Sequence, residues 1–235
     1  MRFLLLFITA GLLHAEEITK VVEIKYTDIT RIGILLAAPN SGITRIDPSG
    51  KFVVFRGEKL LVERLEEVLK QIDVAPVNVE LVFELLAGSK LSAKTADVPQ
   101  ALNGVVKEMK ALFGFQTVSL IDTIDLRVQE GREADSSGLL TSMMEDKSGP
   151  KATYQLHVRQ VVANGSKGSR QIRIGEVRFG GKIPMIDAKG NFQLYENSIH
   201  TGLDIKEGQR VVVGKVGLDQ SSNPFFLVVS AKVVE

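Results

Sequence analysis

Between Ile43 and Leu86 the chain reads ITRIDPSGKFVVFRGEKLLVERLEEVLKQIDVAPVNVELVFELL, and this stretch constrains the fold more than any other. In Asp47-Pro48-Ser49-Gly50 the proline pre-sets φ for a turn and the glycine accepts a positive φ, so Ile43 to Ile46 and Phe52 to Phe55 read as a hairpin. From Glu58 to Ile72, residues Leu61, Leu65, Val68, Leu69 and Ile72 recur on one helical face, with Glu63, Arg64, Glu67 and Lys70 outside. Asp73 to Pro76 ends that helix. Val77 to Leu86 is apolar at most positions, as expected of a central strand covered on both faces. Upstream, Val21 to Tyr26 alternates like a strand, and Asp28 can cap a short helix bearing Ile29, Ile32, Leu35 and Leu36 before Pro39-Asn40 stops it.

The remainder changes character. A polar loop over Gly88 to Thr95 precedes a helix near 97–113, with Asp97 as N-cap and Val98, Leu102, Val105, Val106, Met109, Leu112 and Phe113 as its apolar stripe. Beyond Phe115 the helical period gives way to strands. Val118 to Val128 is apolar at even positions except Asp122, which predicts a strand break at Ile121-Asp122-Thr123. Glu130-Gly131 reads as a hairpin turn. Tyr154, Leu156, Val158 and Val162 share one face, and the phase shift from Ile172 and Ile174 to Val177 and Phe179 marks Gly175 as a bulge candidate. Leu203, Ile205, Val211 to Val213 and Phe225 to Val234 supply the last strands, with a turn at Lys206-Glu207-Gly208 and a polar loop around Asp219 to Pro224. The fold class is therefore α+β: a βαββα module over 16–76, then a mostly antiparallel β module over 77–235 carrying one helix.

Export is the expectation at the amino terminus. Residues 1–15, MRFLLLFITAGLLHA, pair Arg2 with a short apolar run and a small residue at Ala15, the pattern of a secretory signal peptide. Cleavage after Ala15 or Ala10 both fit, and a run this short does not span a bilayer comfortably. Loss of Arg2 leaves 28 basic against 28 acidic residues, so overall charge makes no case for nucleic acid or an anionic membrane. The chain has no cysteine, which excludes disulfides, thiolate chemistry and cysteine-ligated zinc.

The residue order from Ile43 to Leu86 resembles the periplasmic N-domain of secretins, the ring proteins of bacterial secretion and pilus systems. Gln71-Ile72-Asp73-Val74-Ala75-Pro76 is similar to the corner that closes that domain. Further on, Thr201-Gly202-Leu203-Asp204-Ile205-Lys206-Glu207-Gly208-Gln209-Arg210-Val211-Val212-Val213-Gly214-Lys215-Val216 resembles the family's core pattern, with Lys215 where a second glycine stands, and Leu126 to Ala134 looks like its turn before a short strand. The resemblance implies a non-enzymatic periplasmic or envelope protein, a structural or interaction component of a secretion or pilus-type assembly, with protein partners, a possible homo-oligomer and possible association with the outer membrane. Only about 20 residues separate Gly181 from Thr201, with no alternating apolar band of the kind a bilayer-facing strand needs, so no transmembrane barrel is expected.

No catalytic, cofactor-binding or metal-binding residue is assigned. Of three histidines, His14 falls in the signal, and His157 and His200 have no carboxylate at ligand spacing. Asp122 with Asp125, or Glu133 with Asp135, could form an acid and base pair, but solvated turns and strand faces account for them as well. Ser136, Ser137 and Ser142 lack a nucleophile-elbow context, and Gly165-Ser166-Lys167-Gly168 reads as a hairpin tip rather than a phosphate loop. Asn164-Gly165-Ser166 formally fits a glycosylation acceptor, and Met143 and Met144 sit in a polar loop. Strand edges in the β module offer partners a route by strand addition. A second reading is an envelope protein that binds a glycan or small ligand through its β module; absent tryptophan and three tyrosines weaken it.

Overall fold

The computed structural model describes residues 16–28, 32, 43–46, 51–92, 98–140, 150–166, 168–186, 192–216 and 224–234. The expected signal segment, the Asp47–Gly50 turn, Asp97, Ser142, Met143 and Met144 lie outside them. The chain divides into two compact units that meet at Ala75 and Pro76.

The first unit is a three-stranded antiparallel sheet in the order β1-β3-β2, with β1 at Glu17–Glu23, β2 at Ile43–Ile46 and β3 at Phe52–Glu58. Helix α1, Lys59–Ile72, follows β3 directly. Val62 and Leu69 of α1 pack on Val53 and Phe55 of β3 and on Ile24, with Leu65, Ile72, Ile18 and Val22 around them. Val68, expected inside, is 43% exposed, because the buried arc of α1 is centred on Val62 and Leu69. Ile32 is fully buried in the same core, and its N–H donates to the Asp28 carbonyl at 3.1 Å. The rest of the helix expected after Asp28 lies outside the described residues. Asp73 does more than end α1: its carboxylate accepts the backbone N–H groups of Lys25, Tyr26 and Thr27 at 2.8 to 2.9 Å, which anchors the segment after β1 to the end of the helix.

The second unit is built from two antiparallel sheets. Strand β4 runs over Asn78–Ser89, longer than the sequence implied, and helix α2 over Asn103–Phe113, preceded by a 3₁₀ turn at Gln100–Leu102. The second sheet has the order β10-β11-β4-β5, with β5 at Thr117–Gln129, β10 at Arg210–Val216 and β11 at Phe225–Val234. The third sheet has the order β6-β7-β8-β9, with β6 at Ala134–Leu139, β7 at Thr153–Asn164, β8 at Gln171–Ile186 and β9 at Phe192–Lys206.

Alternation along each strand builds the core. Val79, Leu81, Phe83 and Leu85 of β4, with Leu227, Val229 and Val233 of β11, pack against Leu156, Val158, Ile172, Ile174, Val177 and Phe179 of the third sheet. Leu86, Phe226 and Val228 point the other way, beneath Leu102 and Met109 of the α2 segment. The second sheet is thus buried on both faces at that end. Phe115 lies over Gly88, where an added Cβ would stand 2.6 Å from the ring, so only glycine admits this approach.

Four further expectations need correction. First, β5 does not break at Asp122. Leu120 pairs with Leu86 and Asp122 with Leu85, so Ile121 is a one-residue bulge, and the even positions change face across it: Val118 points to α2, Ile124 and Val128 to the third sheet. Second, the turn at Glu130-Gly131 is tight, with φ of +75° at the glycine, but makes no hairpin, because it hands the chain from one sheet to the other, as the turn at Glu207-Gly208 also does with φ of +77°. Third, Val161 rather than Val162 is fully buried, since Gln160 takes a left-handed φ of +54° and shifts the phase of β7. Fourth, Leu112 and Phe113 leave the α2 stripe and are 76% and 41% exposed. The bulge expected at Gly175 is present, as the register of β8 on β9 shifts between Ile174 and Val177.

Candidate functional site

Strand pairing determines what the third sheet offers. Strand β6 is hydrogen-bonded only to β7 and β9 only to β8 among the described residues, so each carries backbone N–H and C=O groups along an outer edge. The two edges differ in reach. Strand β9 is 15 residues long and β6 is 6. The span between Gly181 and Thr201 continues the β8 and β9 pairing out to Ile186 and Phe192, beyond the last pairing of β7, at Thr153 with Lys182.

The turns that join the sheets also position the third one. The Gly131 N–H donates to the Val161 carbonyl at 2.9 Å, and Glu130 Oε1 accepts the Ala163 N–H at 3.1 Å. On the opposite side, Gly208 N–H donates to the Ala231 carbonyl at 2.8 Å and Glu207 Oε1 accepts the Val233 N–H at 2.9 Å. Both turns are therefore pinned to strands they do not extend.

The outward face of the third sheet is polar in register. Asp135, His157, Arg178 and His200 are directly opposite one another on successive strands, and the next row is Ser137, Gln155, Gly180 and Ser198. His157 Nδ1 is bonded to Asp135 Oδ1. Glu176 gathers three cations or potential cations, Arg178 at 2.5 Å, His200 Nε2 at 3.1 Å and Arg159 at 3.8 Å, while Arg159 also meets Glu133 at 3.3 Å. Lower on the sheet Arg173 donates to Asp204 at 2.9 Å, and that carboxylate raises the guanidinium pKa. A shallow depression of about 600 Å³ follows the rows of Asp135 and Ser137, and a second of about 380 Å³ lies beside Lys182 and Glu196.

Asp135 bonded to His157 is the orienting half of a proton relay, but the other half is missing among the described residues. Ser136 turns inward to the Tyr154 hydroxyl at 3.2 Å, and no serine hydroxyl is bonded to the second ring nitrogen. Backbone N–H groups of the inner strands β7 and β8 are committed to the ladder, and those that β6 leaves unpaired lie along its outer edge. Asp122 and Asp125 fall on opposite faces of β5, and Asp122 accepts the adjacent Thr123 N–H at 2.8 Å. No group of three or more His, Asp or Glu residues able to hold a metal occurs among the described residues. None of their helices is long and apolar enough to cross a membrane. Sequence reasoning missed one buried pair: Glu84 of β4, 5% exposed, is bonded to Arg210 of β10 at 3.2 Å across the intervening β11.

The fold is secretin-like by its likeness to solved structures. No family model matches the sequence, and no curated protein is similar to it in sequence. Solved structures match by fold. The type II secretin GspD from enteropathogenic Escherichia coli superposes with a TM-score of 0.55 at 10% identity, over 92% of this chain and 87% of that one. The type II secretion secretin XcpQ from Pseudomonas aeruginosa gives 0.52 at 14% identity, over 97% and 77%. The type IV competence pilus secretin PilQ from V. cholerae gives 0.52 at 12% identity, over 93% and 77%.

Proposed function

We propose that this chain is a non-enzymatic periplasmic component of a secretion or pilus-type envelope assembly, and that it joins copies or partners by strand addition at β6 and β9. The observation that carries this reading is the open pair of edges on the third sheet. In the order β6-β7-β8-β9 every neighbour is antiparallel, so β6 and β9 run in opposite directions. A second copy placed with its β6 along the first copy's β9 continues the same alternation without a mismatch. Backbone pairing of this kind supplies affinity, and the side chains of the added strand supply selectivity.

The fold likeness to secretins agrees with this role. The outward rows of Asp135, His157, Arg178 and His200, and of Lys182 and Glu196, are charged and suit water or a protein partner rather than acyl chains. Transport through a lipid-facing barrel is therefore no part of the reading. The export signal expected over 1–15 supports the periplasmic part of this reading.

The absence of cysteine makes the test clean. Ser137→Cys on β6 is combined in one chain with Glu196→Cys, Ser198→Cys or His200→Cys on β9. Within one copy these positions are three strands apart, about 14 Å, too far for a disulfide. Mild oxidation should give a ladder of linked chains in one of the three combinations and little in the others. A chain that stays monomeric and unlinked in all three overturns edge addition.

A further inference from the structure

Three large apolar side chains stand in water at one end of the second sheet. Leu91, just past β4, is 77% exposed, and Leu112 and Phe113 in the last turn of α2 are 76% and 41% exposed. They rest on a rigid base. Gln116 N–H donates to the Ser89 carbonyl at 2.9 Å, and Thr117 Oγ1 to the Leu91 carbonyl at 3.1 Å, so the end of β4 is tied to the chain leaving α2. Phe113 stacks on Phe115 with centroids 5.6 Å apart and meets Phe226 at 5.2 Å. Half-exposed aromatic rings held this firmly lose little entropy on meeting a partner.

Among the described residues the charge around them is mainly positive. Lys90 adjoins Leu91, Lys110 precedes Phe113 by one turn, and the Lys215 ammonium lies 5.6 Å from the Phe113 ring centroid. Lys107 lies on the same helix, whose single acid, Glu108, stands one turn before Leu112. The whole chain carries a formal charge of only +1, so Lys90, Lys110 and Lys215 give this corner a local excess of positive charge among the described residues. We propose that it docks on an anionic lipid surface. Leu91, Leu112 and Phe113 enter the headgroup boundary, and the lysines extend their stems along it to reach lipid phosphates. Three apolar side chains insert shallowly, so the attachment is reversible and falls as salt rises. It needs no strand edge and is independent of the assembly proposed above.

The test is flotation of the full chain with phosphatidylcholine vesicles, with and without phosphatidylglycerol. The chain should float only with the anionic vesicles and should release at high salt. Leu91→Glu combined with Leu112→Glu should lower binding at least tenfold, since acidic side chains are both expelled from the boundary and repelled by the lipid. Lys90→Glu with Lys215→Glu should lower it severalfold and flatten the salt dependence. Leu91 and Leu112 are more than three-quarters exposed, so an unchanged melting curve will separate lost binding from lost fold. Equal flotation with both vesicle types, or undiminished binding by the leucine variants, overturns the proposal. So does a chain that ignores vesicles but loses mass as an oligomer when the leucines are changed, which assigns the corner to a contact between copies.

Discussion

The unit ending at Ala75 and the unit beginning at Pro76 both rest on antiparallel sheets, yet they hold together by different means. In the first, helix α1 packs on one face of a short sheet and the core is Phe55, Val53, Val62, Leu69, Ile24 and Ile32. Polar ties then close it: Asp73 on three backbone N–H groups, and Glu66 between Lys20 and Lys70. In the second, β11 is buried along nearly its whole length because one face meets the third sheet and the other meets α2. A small unit leans on ties at its ends, whereas a layered unit leans on area removed from water.

Core truncation sharpens that contrast most. Phe83→Ala and Phe55→Ala each remove a fully buried ring and should each cost about 3–5 kcal/mol. Followed by hydrogen exchange, the first should release amides of the second unit alone and the second amides of the first unit alone. A single transition shared by both variants would break the division.

Next in size is the buried pair. Arg210→Ala leaves the Glu84 carboxylate without its partner inside the sheet and should cost about 2–3 kcal/mol, measured by urea denaturation. Glu84→Gln, which keeps the shape and sheds the charge, should cost less.

Acid should act on the first unit through Asp73. Partial burial pushes its pKa up, but the three backbone N–H bonds outweigh this and hold it below the usual carboxylate range. Glu66 is likewise lowered, by its hydrogen bonds to Lys20 and then Lys70. On acidification the unfolded chain takes up these protons before the folded one does. The stability they supply is therefore present at neutral pH and is lost as the pH falls below about 4. Asp73→Asn should cost about 1–2 kcal/mol at pH 7 and flatten the acid limb of the first unit's melting curve. The smallest effect belongs to Arg173→Ala on the exposed Asp204 pair, which should leave the urea midpoint almost unmoved.

Much of this was legible because periodicity reports burial directly. The 3.6-residue spacing of Leu61, Leu65, Leu69 and Ile72 located α1, and the phase change at Gly175 located a bulge. Where a face changes without a glycine the signal is poorer: Asp122 marked an irregularity beside Ile121 but read as a break, and nothing in the local sequence marks Gln160. The turn chemistry of Glu130-Gly131 and Glu207-Gly208 was read correctly, but it is the same whether the next strand returns beside the last or crosses to another sheet. Asp73 looked like a helix end because the N–H groups it binds come from Lys25, Tyr26 and Thr27, far earlier in the chain. The polar rows of the third sheet required the register of four strands, which no single segment contains.

The central claim is that β6 and β9 are edges made to be paired. Amide exchange of the full chain, compared between dilute and concentrated solution alongside its mass by analytical ultracentrifugation, tests it most directly. Edge addition predicts that mass rises with concentration while amides in Ala134–Leu139 and Phe192–Lys206 become protected and those of β1 and β3 do not change. A chain that remains monomeric, with those two strands equally unprotected at both concentrations, would contradict it.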